Sequence, residues 1–191
     1  MNWRVALIAV AGVVAVALLV WLLRGDAPVE VQQDVVVVAE IPEIPTPTPA
    51  PEQRIILLFT GADGMLHPEL RSVPLPDEVH ERIQVVMNEL LAGPVTSKYL
   101  APVVPYDAAV KAVFVDQHGN AFVDLTAPPT PLSGSSTELL LTYGVVDSII
   151  LNCPEVSAVQ ILFGGHEVKT LTGHVDLSKP LVLNKRFIAQ S

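Results

Sequence analysis

The chain has 191 residues, half of them hydrophobic, and a formal net charge of −9. Its lysines and arginines are scattered, with no basic run of the kind that phosphate binding requires, which excludes nucleic acid as a partner. Cys153 is the only cysteine, so an intrachain disulfide is impossible, and a thiol in an apolar helical run reads as buried and inert.

The composition is uneven and divides the chain into an apolar segment 1–24, a proline-rich acidic linker 25–53 and a region of globular composition 54–191. Residues 5–23 are an uninterrupted apolar stretch of 19 residues. As a helix it spans about 28 Å, close to the hydrocarbon thickness of a bilayer. Trp3 and Trp21 stand near its ends, where indole rings favour the headgroups, and Arg4 and Arg24 flank it. The basic N-terminal flank and the acidic stretch after Arg24 predict a single-pass protein of the cell membrane, with a cytoplasmic N-terminus and an extracytoplasmic domain. The competing reading is a signal peptide cleaved after Ala15-Val16-Ala17, although residues 18–23 remain apolar where a polar segment is expected. No cysteine lies near this segment, which excludes a lipid attached there.

The linker carries Asp26, Glu30, Asp34, Glu40, Glu43 and Glu52 with no lysine or arginine after Arg24. Its prolines, densest at Pro45, Pro47, Pro49 and Pro51, favour extended polyproline II geometry and predict a stiff spacer of at most roughly 80 to 90 Å. Prolines that serve adaptor domains usually have a basic neighbour, and here the neighbours are acidic. Residues 35–38 are apolar enough to form a short strand.

The domain is expected to open with a buried strand over 54–60, ended by Thr60-Gly61-Ala62-Asp63-Gly64. A helix follows Pro76-Asp77, with Val79, Ile83, Val86, Met87 and Leu90 at helical spacing and a stop at Gly93-Pro94. Residues 109–115 and 121–125 read as a hairpin around Asp116-Gln117-His118-Gly119-Asn120. After the loop of Pro128, Pro129 and Pro131, a second helix is predicted to about Asn152, capped by Ser135, Ser136 or Thr137, with Leu139, Tyr143, Val146 and Ile150 as its inner stripe. Apolar residues spread beyond that stripe, so this helix should be the more deeply buried. Residues 156–163 and 166–171 read as two strands around Gly164-Gly165. The expected class is α/β (α+β), of order β-α-β-β-α-β-β, preceded by one transmembrane helix.

Several segments together carry a family resemblance. They are Ile55-Ile56-Leu57-Leu58-Phe59 with Leu66-His67-Pro68-Glu69-Leu70-Arg71; Leu90-Leu91-Ala92-Gly93-Pro94; Ala121-Phe122-Val123-Asp124-Leu125; and Glu138-Leu139-Leu140 leading to Val159-Gln160-Ile161-Leu162-Phe163-Gly164-Gly165. In this order and spacing, nearly all of 54–180 resembles a GerMN domain, the module of spore-germination, sporulation and cell-envelope proteins. Val104-Pro105-Tyr106-Asp107, where a glycine-bearing turn is usual, and Phe163 before the glycines, where an acid is usual, depart from that pattern. The resemblance implies a modest α/β sandwich and a non-enzymatic role, with no catalytic residues or cofactor to carry over.

Arg71, Asp124 and His166 are the candidate contacts for a ligand or partner. Each also has a structural explanation: Glu69 and Arg71 as an exposed ion pair, and Asp124 as a cap on the proline-rich loop. His166, His174 and Asp176 meeting across a hairpin would offer three metal ligands, but no pair has zinc-type spacing. Ser133 to Ser136 lacks the strand-to-helix elbow of a serine hydrolase, and no phosphate-cradling glycine loop is present. The expected function is a membrane-anchored binding or scaffolding protein of the bacterial cell envelope, contacting an envelope protein or cell-wall component. The alternative is an envelope hydrolase acting on wall polymer.

Overall fold

The computed structural model describes residues 18–23, 51–104, 107–126 and 134–190. Most of the predicted membrane segment, nearly all of the linker and the loop 127–133 lie outside these residues. Residues 18–23 are helical, and all six side chains are exposed. Among the described residues no helix is long and apolar enough to cross a membrane.

The folded unit runs β1 (Glu52–Thr60), β2 (Leu66–Pro74), α1 (Val79–Leu91), β3 (Val110–Val115), β4 (Asn120–Leu125), α2 (Ser135–Asn152), β5 (Ala158–Phe163) and β6 (His166–Glu167), then a 3-10 turn at Lys185–Phe187. β1 and β2 form an antiparallel ribbon, and β3-β4-β5-β6 form a four-stranded sheet in that order. The β4–β5 pair is parallel, with α2 as the crossover, and the other neighbours are antiparallel. Both helices pack on the ribbon and on the sheet, α1 reaching β3 and α2 reaching β5. The core between them includes Ile55, Phe59, Ile83, Met87, Leu125, Leu141, Ile149 and Ile161.

β2 is the element the sequence pattern hides. Pro68 and Pro74 interrupt it, and His67, Glu69 and Arg71 occupy one of its faces. The prolines are tolerated because of register. Thr60 directs its backbone away from β2 to bond Ala101, so its partner Leu66, and with it Pro68, Leu70, Ser72 and Pro74, point their amide positions off the open edge.

The opposite edge of the ribbon is closed by helix side chains. Ser148 Oγ accepts from the Leu58 N–H at 3.0 Å. Asn152 accepts from the Ile56 N–H at 2.8 Å and donates to the Ile56 carbonyl at 2.7 Å. One i, i+4 pair on α2 thereby satisfies groups that would otherwise be an unpaired strand edge.

α1 buries the predicted Ile83, Val86, Met87 and Leu90 and stops at Gly93, whose φ of 83° suits glycine. The β3–β4 turn forms as expected, with Asp116 accepting from the N–H groups of His118 and Asn120. α2 departs from its expected stripe: Leu139, Tyr143 and Ile150 are only half-buried, while Thr142, Gly144, Val145, Asp147, Ser148 and Ile149 are buried. A helix covered by both sheets and by the C-terminal segment loses the one-sided pattern that periodicity detects. Its N-cap is Gly134 rather than a hydroxyl residue.

Candidate functional site

Arg71 and Glu69 do pair, but the pair is buried rather than exposed. Glu69 is 4% exposed, and its carboxylate accepts from Arg71 Nη2 at 2.6 Å and from the N–H groups of Val95 and Thr96 at 3.2 and 2.9 Å. Burial alone would raise the Glu69 carboxyl; the Thr96 amide and the Arg71 guanidinium outweigh it and hold the group at about 2. Arg71 also donates to the Glu89 carboxylate and to the carbonyls of Glu89 and Gly93, and lies 5.4 Å from the centre of the Phe59 ring. Two residues of β2 thus tie down the end of α1 and the Gly93-Pro94 loop, which is why the pair is covered. Arg71 thus acts as a structural clamp between β2, the end of α1 and the loop after it.

Asp124 bonds the Gly164-Gly165 turn, and His166 follows that turn. Asp124 Oδ1 accepts from the Gly165 N–H at 2.8 Å and so orders the Gly164-Gly165 reversal; the expected cap on the proline-rich loop falls on residues 127–133, outside the described residues. The register places it beside Leu162 on β5, and His166 follows the turn, exposed, opposite Phe163. Among the described residues no group of three histidines, cysteines or carboxylates could hold a metal. His174 instead lies 3.3 Å from Glu138, and Asp176 accepts from Ser178.

Glu138 is the residue that sequence reasoning undervalued. It is fully buried in the first turn of α2. One oxygen accepts from the Thr170 hydroxyl and the Leu171 N–H, at 2.6 and 2.8 Å. The other accepts from the Thr172 hydroxyl and the His174 N–H, at 2.6 and 2.9 Å. Burial works to raise this carboxyl, yet the donors hold it well below the usual range. By gathering residues 170–174, Glu138 pulls the chain off the sheet, and so β6 ends at Glu167 instead of continuing to Leu171. The edge of β5 is completed by Leu181, which exchanges two hydrogen bonds of 2.8 Å with Val159.

Asp147, also fully buried, is less well satisfied. Its Oδ1 accepts from the Asn184 N–H at 2.9 Å, and its Oδ2 has no partner among the described residues. Burial pushes it up to about 6, with Asn184 only partly offsetting this. The folded state therefore holds the proton more tightly than the unfolded chain. Stability is greatest below the unfolded pKa and falls as pH rises through about 6, a change on the order of 3 kcal/mol. Asp147→Asn is expected to stabilise the domain by about 1–3 kcal/mol at pH 8 and to be neutral near pH 4, read by urea denaturation at both pH values.

Among the described residues a cleft of about 410 Å³ opens beside the ribbon. Its floor is the outer face of the ribbon, Ile56, Leu58 and Pro68; Leu151 of α2 and Lys185, Ile188, Ala189 and Gln190 supply the walls. Ala189 donates to the Leu66 carbonyl at 2.8 Å, so the C-terminal segment begins a third strand along β2. The lining offers aliphatic carbon, one ammonium and one amide, the composition of a binding surface of small-ligand size.

Residues 26–169 match the family model Germane, described as sporulation and spore germination. The chain belongs to this family. No curated protein matches it. The germane fold is similar to that of a candidate lipoprotein from Clostridium perfringens, 22% identical, at a TM-score of 0.51 over 69% of this chain and 87% of that one. It is also similar to the tandem GerMN domains of the sporulation protein GerM from Bacillus subtilis, 15% identical, at a TM-score of 0.54 over 69% of this chain and 46% of that one. The chain therefore spans just under half of the tandem protein. Both likenesses are of fold. In this germane domain the segments that carry the resemblance are joints: Glu69 and Arg71 lock Leu-Ala-Gly-Pro, Asp124 locks Gly164-Gly165, and Glu138 locks the segment after β6.

Proposed function

We propose that this germane protein is anchored by its apolar N-terminal segment as a single-pass protein of the bacterial cell membrane, and that it holds its domain on the outer side to bind an envelope partner without turning it over. The observation that carries the binding role is the cleft, whose lining is aliphatic apart from Lys185 and Gln190. Anchoring is supported by the exposed helical residues 18–23, with Trp21 at 74% and Leu23 at 75% exposure, surfaces that lipid would cover, and by the charge asymmetry around Arg24. The description of the Clostridium perfringens protein as a candidate lipoprotein also favours the envelope.

The test uses the full chain in lipid nanodiscs, presented with purified wall fragments and with solubilised envelope proteins. Saturable retention is expected, weakened roughly tenfold by Leu151→Gln at unchanged Tm. Absence of retention, or release of soluble wall fragments that Asp124→Ala or His166→Ala abolishes, would overturn the proposal.

A further inference from the structure

The open edge of β2 continues past Leu66, where Ala189 bonds to it. Leu66 gives its carbonyl to Ala189, and Pro68 and Pro74 have no N–H, but Leu70 and Ser72 each direct an N–H and a carbonyl off the edge with no partner among the described residues. Both are exposed, Leu70 at 60%. An edge of this kind is a template for another strand, and most proteins blunt it. Here the prolines shorten it to one stretch. The segment at Ile188 already pairs with it in parallel, which shows that the edge accepts an added strand.

The face beside that stretch is apolar at its centre and positive at two points. Leu70 stands opposite Ile56, next to the aliphatic cleft. Lys185 lines one wall of the cleft, and exposed Arg54, opposite Ser72, shares the Ile56 face. Neither cation has a carboxylate partner among the described residues, and the acids of the Arg71 and Arg82 pairs are engaged elsewhere. Glu52, opposite Pro74, limits this positive face at its far end.

We infer that β2 binds an extended peptide segment of a partner protein as an added strand along Leu70 and Ser72, the alternate side chains on its cleft-facing side being apolar at the centre and acidic at the ends. Main-chain bonds to these two residues supply affinity. Of the alternate side chains that share the Ile56 and Leu70 face, the central apolar ones enter the cleft and the terminal acidic ones meet Arg54 and Lys185 on that same face. The inference rests on reading the cleft as the binding site and specifies what the cleft takes.

The test is fluorescence polarisation with the full chain in nanodiscs and a fluorescein-labelled, end-blocked heptapeptide whose odd positions are glutamate, valine, valine and glutamate and whose even positions are threonine. Saturable binding is expected, weakened roughly tenfold or more when alternate amides of the peptide are N-methylated. Leu70→Pro or Ser72→Pro should produce a similar loss, since each removes an outward-facing donor and leaves the N–H groups of the β1 ladder in place. Arg54→Glu with Lys185→Glu should transfer the preference to the same peptide with lysine in place of each glutamate. Equal binding of the methylated peptide, or equal binding of acidic and basic peptides by the unaltered chain, overturns the inference. So does self-association of the chain in sedimentation that Leu70→Pro abolishes, because the occupant would then be a second copy. If wall or envelope material is still retained by Leu70→Pro, the binding role stands and only the strand-addition reading fails; loss of all retention removes both.

Discussion

Arg71→Ala is expected to destabilise the domain by on the order of 3–5 kcal/mol, the cost of stranding a buried charge without its partner. Glu69 is almost wholly buried, and Arg71 is its only cation among the described residues. The loss reaches further than the ion pair. Arg71 also satisfies the carbonyls of Glu89 and Gly93, the orphan acceptors at the end of α1, and without it they face a partly buried site with no donor. Arg71→Lys should recover only part of the loss, because one ammonium cannot reproduce the guanidinium fork that reaches Glu69, Glu89 and Gly93 together. Urea denaturation of the two variants checks the order. An alanine variant within about 1 kcal/mol of the parent would show the network to be dispensable.

Glu138→Gln is expected to cost about 3 kcal/mol, close to the Arg71 variant, although the side chain keeps its shape. Four donors converge on the carboxylate, two hydroxyls and two backbone amides. A glutamine presents an NH2 to one pair of them, where it meets donors instead of an acceptor. The damage should be local: hydrogen exchange at Leu171 and His174 rises sharply, while the amides of β4 and β5 stay protected until global unfolding. The same carboxylate predicts the acid limb of stability. Glu69 and Glu138 have folded pKa values below the ordinary 4.5, so their stabilisation is complete above that value and is lost as pH falls below it. Asp147 acts in the opposite sense and penalises the fold as pH rises through about 6. Stability should therefore peak near pH 5, and Glu138→Gln should flatten the acid side of that peak.

The elements legible in the sequence are those in which local chemistry and tertiary context agree. β1, α1 and the β3–β4 hairpin announce themselves through an aliphatic run, a one-sided stripe ended by Gly93-Pro94, and a turn of Asp116 and Gly119. β2 was hidden because its signals are set by an edge: proline is compatible with a strand only where the amide points away from the neighbour, and sequence does not reveal that direction. β6 ended early because of a residue far from it in the chain, Glu138, whose four donors outcompete the sheet. Of the candidate contacts, Asp124 and His166 do share one turn, and Arg71 is consumed by packing. The cleft escaped notice because it is made by Leu151 and the residues after Asn184, which carry no motif.

The most direct test of the account is protease treatment of intact spheroplasts that carry the full chain. Digestion of the linker and domain from outside, leaving a protected N-terminal fragment, is the predicted result. Complete protection until the membrane is lysed would place the domain in the cytoplasm and contradict the account.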